Sequence, residues 1–440
     1  MTKAALKTLI DQYRSDYAER NEPIRINFRK LVPELNNNER YSHLIHPYPA
    51  KLLNNIPYFF FQTDIFCPKN GVILDPFCGT GTVLLEAVLS GRNALGADAN
   101  PLANLITNVK TVHIPKAVLQ DTLTAVLSRV KKYRKVVKYP EAIATWYSPY
   151  CLHQLTNLQR SIIEISNEQQ RSFFELCFSA LVRKVSYADP SISVPVHLNP
   201  NRFQSNSNQM KKVKERLDSL RTVNVYKKFE IICKQNINRI ETLNGRISDG
   251  VTARIVSNDA RQLRLKNNYV DMILTSPPYA GAQKYIRSSW LNLYWLNLVN
   301  LKEIKELKKH NIGREDYRKS EIYECYTDIA PADIVLKELY QNGKMQRAFI
   351  VANYLNEMKL ALDESVRVLK KGGYMVIIIG NNTVCNLPFD TQYYLTIYMQ
   401  SKGMQLEFKL IDDIKSYGLM TKRNKTASTI SCEWVLVFKK

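Results

Sequence analysis

Hydrophobic and polar positions between residues 71 and 110 follow the order strand, loop, helix, strand, helix. An apolar run at 72–74 predicts a buried strand, and helical periodicity begins at Thr82 after a glycine-rich loop. A second apolar run at 94–97 predicts the next strand, and Pro101 stands where the first turn of another helix is expected. This alternation predicts the start of a doubly wound α/β sheet.

The pattern changes in the middle of the chain, where strand signals nearly vanish. Helical periodicity dominates there, in stretches at 115–135, 152–165, 169–186 and 210–243. The charges of residues 111–250 sum to +11, half of the +22 carried by the whole chain. We therefore predict a mostly helical, basic insertion at 111–250.

The α/β pattern resumes after residue 250. Apolar runs predict further strands at 253–256, 270–274, 374–379, 405–410 and 433–438. A charged stretch at 301–345 is expected to be helical, and a long amphipathic helix at 349–369 is expected to end with Gly372 and Gly373 as its C-cap. The predicted organisation is an N-terminal helical extension at 1–40, a core at 41–110 and 251–440, and the insertion between them.

Composition excludes several classes of protein. Hydrophobic residues occupy 45% of the 440 positions, so a large core can form and a disordered chain is excluded. The excess of 62 Lys and Arg over 40 Asp and Glu indicates a polyanionic partner, most often nucleic acid, with a generally basic proteome as the alternative. No apolar run approaches about 18 residues, and the eight cysteines form no C-x-x-C pair. We expect a cytoplasmic protein with no membrane contact and no bound metal.

The loop after the first strand indicates a cofactor site. It reads Asp75-Pro76-Phe77-Cys78-Gly79-Thr80-Gly81 and puts bare backbone at the carboxyl edge of a parallel sheet, where such folds bind cofactors. Asp98, at the end of the second strand, is placed to accept both ribose hydroxyls of a nucleoside. The pattern favours an adenosine-containing cofactor over a tight turn that binds no ligand.

A second loop has the residues to hold a flat base. The strand at 270–274 ends in Thr275-Ser276-Pro277-Pro278-Tyr279, where two prolines fix an extended backbone and remove two N–H donors. Outward carbonyls and the Ser276 hydroxyl can accept hydrogen bonds from an exocyclic amine, while the Tyr279 ring stacks on the base. A proline-stiffened turn with a packed tyrosine is the alternative.

These two loops resemble the amino-methylating DNA methyltransferases that use S-adenosylmethionine. Phe77, Gly79 and Gly81 match the family's F-x-G-x-G motif, and Ser276 to Tyr279 match its (D/N/S)-P-P-(Y/F) motif in the form typical of N4-cytosine enzymes. The segment 46–51, His-Pro-Tyr-Pro-Ala-Lys, resembles a stretch that packs by the cofactor's methionine moiety in one branch of the family. The resemblance implies a Rossmann-like methyltransferase sheet.

Together, the loops and the resemblance select the site residues. Catalysis is assigned to Ser276, Pro277, Pro278 and Tyr279. Cofactor binding is assigned to Pro47, Ala50, Lys51, Asp75, Phe77, Cys78, Gly79, Gly81, Asp98, Ala99, Asp259 and Ala260. Contacts with double-stranded DNA are assigned to the basic residues Lys131, Lys132, Arg134, Lys135, Lys211, Lys212, Lys422, Arg423 and Lys425, with solvated surface runs as the alternative.

The implied chemistry is methyl transfer to an exocyclic amine. Such an amine is a poor nucleophile because its lone pair is delocalised, and acceptors at the Ser276 Oγ and the Pro277 carbonyl would draw its nitrogen towards sp³ geometry. The target base must be flipped out of the duplex to reach them. C5-cytosine methylation usually needs a Pro-Cys dipeptide, which this sequence lacks, and Cys78 is better explained as a packing residue.

Three alternatives stay open at this stage. N4-cytosine is the favoured target, and N6-adenine is the runner-up. A tRNA guanine-N2 methyltransferase shares both loop motifs but usually carries an N-terminal RNA-binding module, and only about 40 residues precede His46. A non-catalytic nucleic-acid-binding subunit is disfavoured because both loops are intact. The resemblance also implies a prokaryotic or phage setting, with a cognate restriction endonuclease as the candidate protein partner.

Overall fold

An eight-stranded mixed sheet forms the centre of the protein in a computed structural model that describes residues 2–35, 40–48, 51–133, 138–205, 207–280, 285–413 and 431–440. Its strands are β1 (Ile24–Ile26), β2 (Val72–Asp75), β3 (Asn93–Ala97), β4 (Ala253–Ser257), β5 (Val270–Thr275), β6 (Leu369–Ile379), β9 (Gln405–Asp413) and β10 (Cys432–Lys439). Two short strands, β7 (Asn382–Val384) and β8 (Leu387–Phe389), form a separate hairpin. The predicted α/β fold class is confirmed.

The strand order positions the site. The sheet runs β1-β9-β10-β6-β5-β2-β3-β4, and every neighbouring pair is parallel except the two pairs that involve β10. From β2 the chain moves outward to β3 and β4, then returns to β5 on the other side of β2. The order therefore reverses between β2 and β5, and the carboxyl ends of strands at such a switch point form a ligand-binding crevice.

Sixteen α-helices are described. Those before the insertion are α1 (Lys3–Arg20), α2 (Phe28–Leu31), α3 (Asn55–Phe61), α4 (Thr82–Leu89) and α5 (Pro101–Lys110). Residues 111–250 contain α6 (Lys116–Arg129), α7 (Glu141–Ala144), α8 (Pro149–Ile163), α9 (Glu168–Val182), α10 (Asn208–Arg221) and α11 (Val225–Glu241). The last group comprises α12 (Tyr285–Trp295), α13 (Ile304–Lys309), α14 (Ala330–Gln341), α15 (Met345–Val368) and α16 (Thr391–Ser401). None of these helices has the length and apolar content that a bilayer crossing requires.

Two hydrophobic cores lie on opposite faces of the sheet. Alternate residues of β6 separate between them, with Val376 and Ile378 in one core and Ile377 and Ile379 in the other. The first core continues into the helices of residues 111–250, where α11 packs on α6 and α9 and buries Phe229. The second core is covered by α14, α15 and α16. The helical segment thus packs against one face of the same sheet.

Gly372 and Gly373 do not cap a helix, so that prediction is wrong. Helix α15 ends at Val368, and the chain enters β6 at Leu369 without a left-handed residue between them. The glycines instead form an irregularity where the register between β5 and β6 shifts. Gly372 has φ 76°, and a Cβ on Gly373 would lie 2.8 Å from the Asp271 carbonyl oxygen. Glycine is therefore needed for a bulge, which sequence alone does not separate from a C-cap.

Three other segments differ from the pattern predicted for them. The N-terminal segment is helical in α1, but β1 also pairs in parallel with β9 at the edge of the sheet. The expected helix at 210–243 is two helices, because Asn224 caps the start of α11. The charged stretch at 301–345 is only partly helical, in α13 and α14.

Candidate active site

The two loops predicted from sequence lie side by side at the switch point. The loop that follows β2 and the loop that follows β5 leave neighbouring parallel strands at the same edge of the sheet. A hydrogen bond joins them: the Thr275 Oγ1 donates to the Asp75 Oδ1 over 2.6 Å. Both side chains are buried. The arrangement holds the S-P-P-Y sequence next to the glycine-rich loop.

Backbone hydrogen bonds fix the shape of the glycine-rich loop. The Phe77 N–H donates to Asp75 Oδ1 over 3.1 Å, and the Gly79 N–H donates to Asp98 Oδ2 over 2.9 Å. Gly79 and Gly81 both have positive φ, at 49° and 68°. A Cβ on Gly81 would come within 2.8 Å of the Thr107 side chain, whereas one on Gly79 would meet nothing within 4 Å. The loop is packed tightly at Gly81 and opens into free space at Gly79.

Asp98 lies at the open side of this loop. Its two carboxylate oxygens accept the N–H groups of Gly79 and Asn100, at 2.9 and 2.8 Å. The side chain is only partly buried, so lone pairs stay available to a ligand. Burial nevertheless raises the pKa of Asp98 to about 6, and it raises that of Asp75 to about 7. The edge of the sheet therefore carries two carboxyl groups that are harder to ionise than ordinary aspartates.

Three other residues predicted to bind the cofactor differ in how much of their side chain is exposed. Phe77 and Ala99 are partly exposed. Cys78 is buried against Gly96, and burial raises the pKa of its thiol. Gly79, where a side chain would project into free space, and the accessible carboxylate of Asp98 fit a nucleoside-type ligand lying along the loop.

Asp259, two residues after the end of β4, forms an ion pair with an arginine. Its Oδ2 accepts a hydrogen bond of 2.8 Å from Arg261 Nη2, and Arg261 also contacts Glu357 at 3.2 Å. Ala260 beside it is buried, while Asp259 itself is partly exposed. This carboxylate is thus oriented by an ion-pair network, with Arg261 as a neighbour that the sequence did not single out.

The segment around His46 provides a support for the site. Lys51 Nζ donates to the carbonyl oxygens of His46 and His43, at 2.8 and 3.2 Å, and burial lowers the pKa of Lys51 to about 8. Lys51 therefore fixes the backbone at His43 and His46, just before Tyr48. Pro47 is exposed, and Ala50 lies outside the described residues.

Tyr48 and Tyr285 form an aromatic pair that the sequence reasoning missed. Their rings stack with centroids 6.1 Å apart and planes 17° apart, and the Tyr48 hydroxyl accepts a hydrogen bond of 2.9 Å from Asn100 Nδ2. Asn100 follows Asp98 by two positions, so the pair adjoins the cofactor side of the site. Tyr285 begins α12, six positions after Tyr279. The sequence signal for this contact was the aromatic residue at 48 within the H-P-Y-P-A-K segment.

The S-P-P-Y loop is anchored at its far end. The Tyr279 hydroxyl donates a hydrogen bond of 2.7 Å to Glu433 Oε1, and the Ala280 carbonyl accepts one of 2.6 Å from Asn382 Nδ2. Pro277 is buried, whereas Ser276, Pro278 and Tyr279 are partly exposed. Burial and the neighbouring carboxylate raise the pKa of Tyr279 well above its ordinary value, so its phenol stays protonated.

A cleft opens between the start of α12 and residues 308–316. Its lining residues are Tyr285, Ile286, Arg287, Lys308, Asn311, Arg314, Glu315 and Asp316. The 308–316 side of the cleft passes close to the catalytic loop, because a Cβ on Gly313 would lie 3.5 Å from the Tyr279 carbonyl oxygen.

The basic residues selected for DNA contacts lie on the surface where they are described. Lys131 and Lys132 are exposed in a short turn after α6, and Lys211 and Lys212 are exposed on α10. Helix α10 fully buries only Leu220. Five of the selected residues lie outside the described part of the chain: Arg134, Lys135, Lys422, Arg423 and Lys425. Within the described residues, no group of three or more His, Cys, Asp or Glu could hold a metal ion.

Comparison with known proteins gives a family. The model of the DNA methylase family, which covers N6 and N4 methyltransferases, matches residues 7–107 and 270–440, more than half of the chain. The Type II methyltransferase M.MvaI of Kocuria varians is 22% identical over 93% of this chain and 96% of its own length. The Type II methyltransferase M.BsoBI of Geobacillus stearothermophilus is 20% identical over 71% of this chain and 69% of its own length.

Among solved structures, a SAM-dependent methyltransferase from Methanosarcina mazei aligns with a TM-score of 0.30 and 9% identity, over 85% of this chain and 94% of its own.

The family match covers both loops of the site described above. Asp259 lies outside the matched ranges. DNA is therefore the supported substrate class, rather than tRNA. The chain belongs to the DNA methylase family and is an S-adenosylmethionine-dependent DNA methyltransferase.

Proposed function

We propose that the protein transfers a methyl group to N4 of cytosine in double-stranded DNA, at a base flipped out of the duplex. The observation that carries this proposal is the hydrogen bond between Thr275 and Asp75, at 2.6 Å. It ties the base-binding loop to the cofactor loop, so a methyl donor and an amine acceptor can be held on adjacent strand ends. Holding reactants in this way supplies much of the rate of a transfer reaction.

The cofactor side of the site is formed by the loop after β2 and its surroundings. Asp98 would accept the ribose hydroxyls, the backbone at Phe77 to Gly81 would line the cofactor, and Asp259 with Ala260 would lie by the adenine. The segment that Lys51 braces would support the methionine moiety. When bound, S-adenosylmethionine supplies an electrophilic methyl group on its sulfonium.

The amine side of the site is formed by neutral acceptors. Ser276 Oγ and the Pro277 carbonyl would accept the hydrogens of the exocyclic amine and turn its lone pair towards the methyl group. The Tyr279 ring would stack on the flipped base, and its partly exposed position leaves a face available for that contact. As the N–C bond forms, the S–C bond of the donor would break and leave S-adenosylhomocysteine, and the amine nitrogen would take up the positive charge. No strong base is therefore required before transfer, and the proton would leave to water afterwards.

Cytosine is favoured by the form of the loop. Thr275-Ser276-Pro277-Pro278-Tyr279 is the form typical of N4-cytosine enzymes in the family that the chain resembles. N6-adenine is the alternative, because the same neutral acceptors suit either amine. The Type II methyltransferases among its relatives support a restriction–modification setting, with a cognate endonuclease as partner.

The helical region at 111–250 is the candidate for target recognition and DNA contact. Its helix α10 carries Lys211 and Lys212 on an exposed face and fully buries a single leucine, so most of its surface is available to a partner. Lys131 and Lys132 give a second basic stretch in the same region. Phosphate contacts from such residues position a protein on DNA without reading its sequence.

The test is to express the protein in a host without DNA methylation and to map modified bases over the genome. N4-methylcytosine in one recurring sequence context is the expected result. N6-methyladenine alone would replace cytosine with adenine as the target and keep the rest of the proposal. Unmodified DNA together with methylated host RNA would overturn it. A strain that carries the Ser276→Ala/Tyr279→Ala double variant is the matched control and should leave the genome unmodified.

A further inference from the structure

We infer that Glu433 is a positioning residue for methyl transfer, acting through the hydroxyl of Tyr279. The inference rests on the proposed function, in which the Tyr279 ring stacks on the flipped base. Glu433 lies on β10, which is separated from β5 by β6, and its carboxylate reaches across to the catalytic loop. The two residues are 154 positions apart in the chain and share a 2.7 Å hydrogen bond.

The first step of the argument is mechanical. Tyr279 follows a rigid Pro-Pro pair, so its backbone is fixed, but its ring can still adopt different χ1 and χ2 angles. A hydrogen bond at the far end of the ring selects one of these orientations. Because the acceptor is a carboxylate on a paired strand of the sheet, the bond is stronger than one between neutral groups and its position is fixed.

The second step concerns the direction of the hydrogen bond. The Tyr279 hydroxyl donates to Glu433 Oε1 over 2.7 Å, and an ionised carboxylate can only accept, so the bond has one direction. The phenol proton therefore points at β10, and this strand holds the Tyr279 ring at its far end.

The surroundings of Glu433 suit this role. It is partly buried, and across the β9–β10 pair it stands opposite Asp412, with Arg29 as the nearby cation. Among the described residues, the Glu433 carboxylate accepts its hydrogen bond from the catalytic loop rather than from a surface cation. Glu407 on β9, by contrast, is paired with Arg14 at 2.6 Å.

The experiment compares single-turnover methylation of unmethylated plasmid DNA by the wild-type protein and six variants. Tyr279→Phe keeps the ring and removes the hydroxyl, while Glu433→Leu removes the acceptor; each should slow the rate about ten- to a hundredfold, the scale expected for a misplaced reacting group. The dissociation constant of S-adenosylmethionine, measured by titration calorimetry, should stay unchanged. Glu433→Gln keeps one acceptor oxygen and should recover most of the rate that Glu433→Leu loses. The double variant Tyr279→Phe/Glu433→Leu should be no slower than the slower single variant.

Two results would overturn the inference: a double variant whose loss is the product of the two single losses, or a wild-type rate for Glu433→Leu. Glu407→Leu is the matched control for removing a carboxylate from the sheet, and it should keep the wild-type rate. Tyr279→Ala separates this inference from the proposed function. If Tyr279→Ala methylates at the wild-type rate, the stacking role in the proposed function is wrong; if only Tyr279→Ala is slow, the role of Glu433 alone is wrong.

Discussion

The Thr275 hydroxyl donates its hydrogen bond to the Asp75 carboxylate, and Asp75 accepts the Phe77 N–H with the same oxygen. One buried carboxyl group therefore holds the last residue of β5 and the first turn of the cofactor loop. The two residues are 200 positions apart, and they meet because β2 and β5 are neighbours at the switch point of the sheet. Cofactor binding and base binding are thus expected to be mechanically linked.

Replacing Thr275 with valine tests this link. The side chains have nearly the same shape, so the variant removes the hydrogen bond and leaves a buried acceptor with one donor fewer. We expect a loss of about 1–3 kcal/mol in the free energy of unfolding, together with weaker binding of S-adenosylmethionine. Chemical denaturation and calorimetry measure the two effects. Thr396→Val, which removes a 2.7 Å bond to Gln392 inside α16, is the control and should lose stability without weakening cofactor binding.

Asp98→Ala tests the ribose contact. The variant removes a carboxylate that can accept two hydroxyl groups, and it also frees the N–H groups of Gly79 and Asn100. We expect S-adenosylmethionine to bind about 2–4 kcal/mol less tightly, because hydrogen bonds to charged acceptors are the stronger kind. Titration calorimetry gives the affinity directly, with Asp16→Ala on α1 as the control. Equal affinities for the wild-type protein and Asp98→Ala would refute the assignment.

The pH dependence of stability should report on Asp75. Burial raises its pKa to about 7 from the ordinary 3.8, so the folded protein binds this proton more tightly than the unfolded chain does. The resulting stabilisation is present in full below about pH 4 and is lost as the pH rises through 7. Asp75→Asn keeps an acceptor for Thr275 but cannot ionise. Its free energy of unfolding, relative to that of the wild-type protein, should therefore rise between pH 4 and 7; a constant difference over that range would contradict the assignment.

The shape of the two loops at the candidate site was predictable because its constraints are local. The turn at Gly81 needs a left-handed backbone and has no room for a side chain, and the Pro-Pro pair fixes an extended loop wherever it occurs. Such requirements are visible in a short stretch of sequence. The strand and helix periods around them then indicate which edge of the sheet the loops occupy.

The missed features depend on contacts between distant parts of the chain. The sequence around Glu433 predicts only the start of a late strand, since nothing near it shows that Tyr279 lies within hydrogen-bonding distance. The pairing of β1 with β9 likewise joins residues 24–26 to 410–412, and three residues are too few to give a strand pattern. Tyr48 and Tyr285 are brought together in the same way, by the packing of α12 beside the cofactor side of the sheet.

Charge reversal on α10 tests the proposed DNA surface. Lys211→Glu/Lys212→Glu should weaken binding to duplexes of any sequence, because phosphate contacts carry no sequence information. If both lysines contact phosphates, the slope of log affinity against log salt should flatten by about 2. Fluorescence anisotropy over a range of salt concentrations gives the slope. Lys3→Glu/Lys7→Glu on α1 is the control of equal charge, and an equal effect from both pairs would mean that α10 is a solvated face.

Mass spectrometry of nucleosides tests the central claim most directly. Unmethylated DNA is incubated with the protein and S-adenosylmethionine that carries an isotopically labelled methyl group, then digested to nucleosides, with the Ser276→Ala/Tyr279→Ala variant in parallel. The predicted result is labelled N4-methylcytosine from the wild-type protein and none from the variant. Labelled N6-methyladenine as the only product would contradict the choice of cytosine, and label found in RNA but not in DNA would contradict the substrate itself.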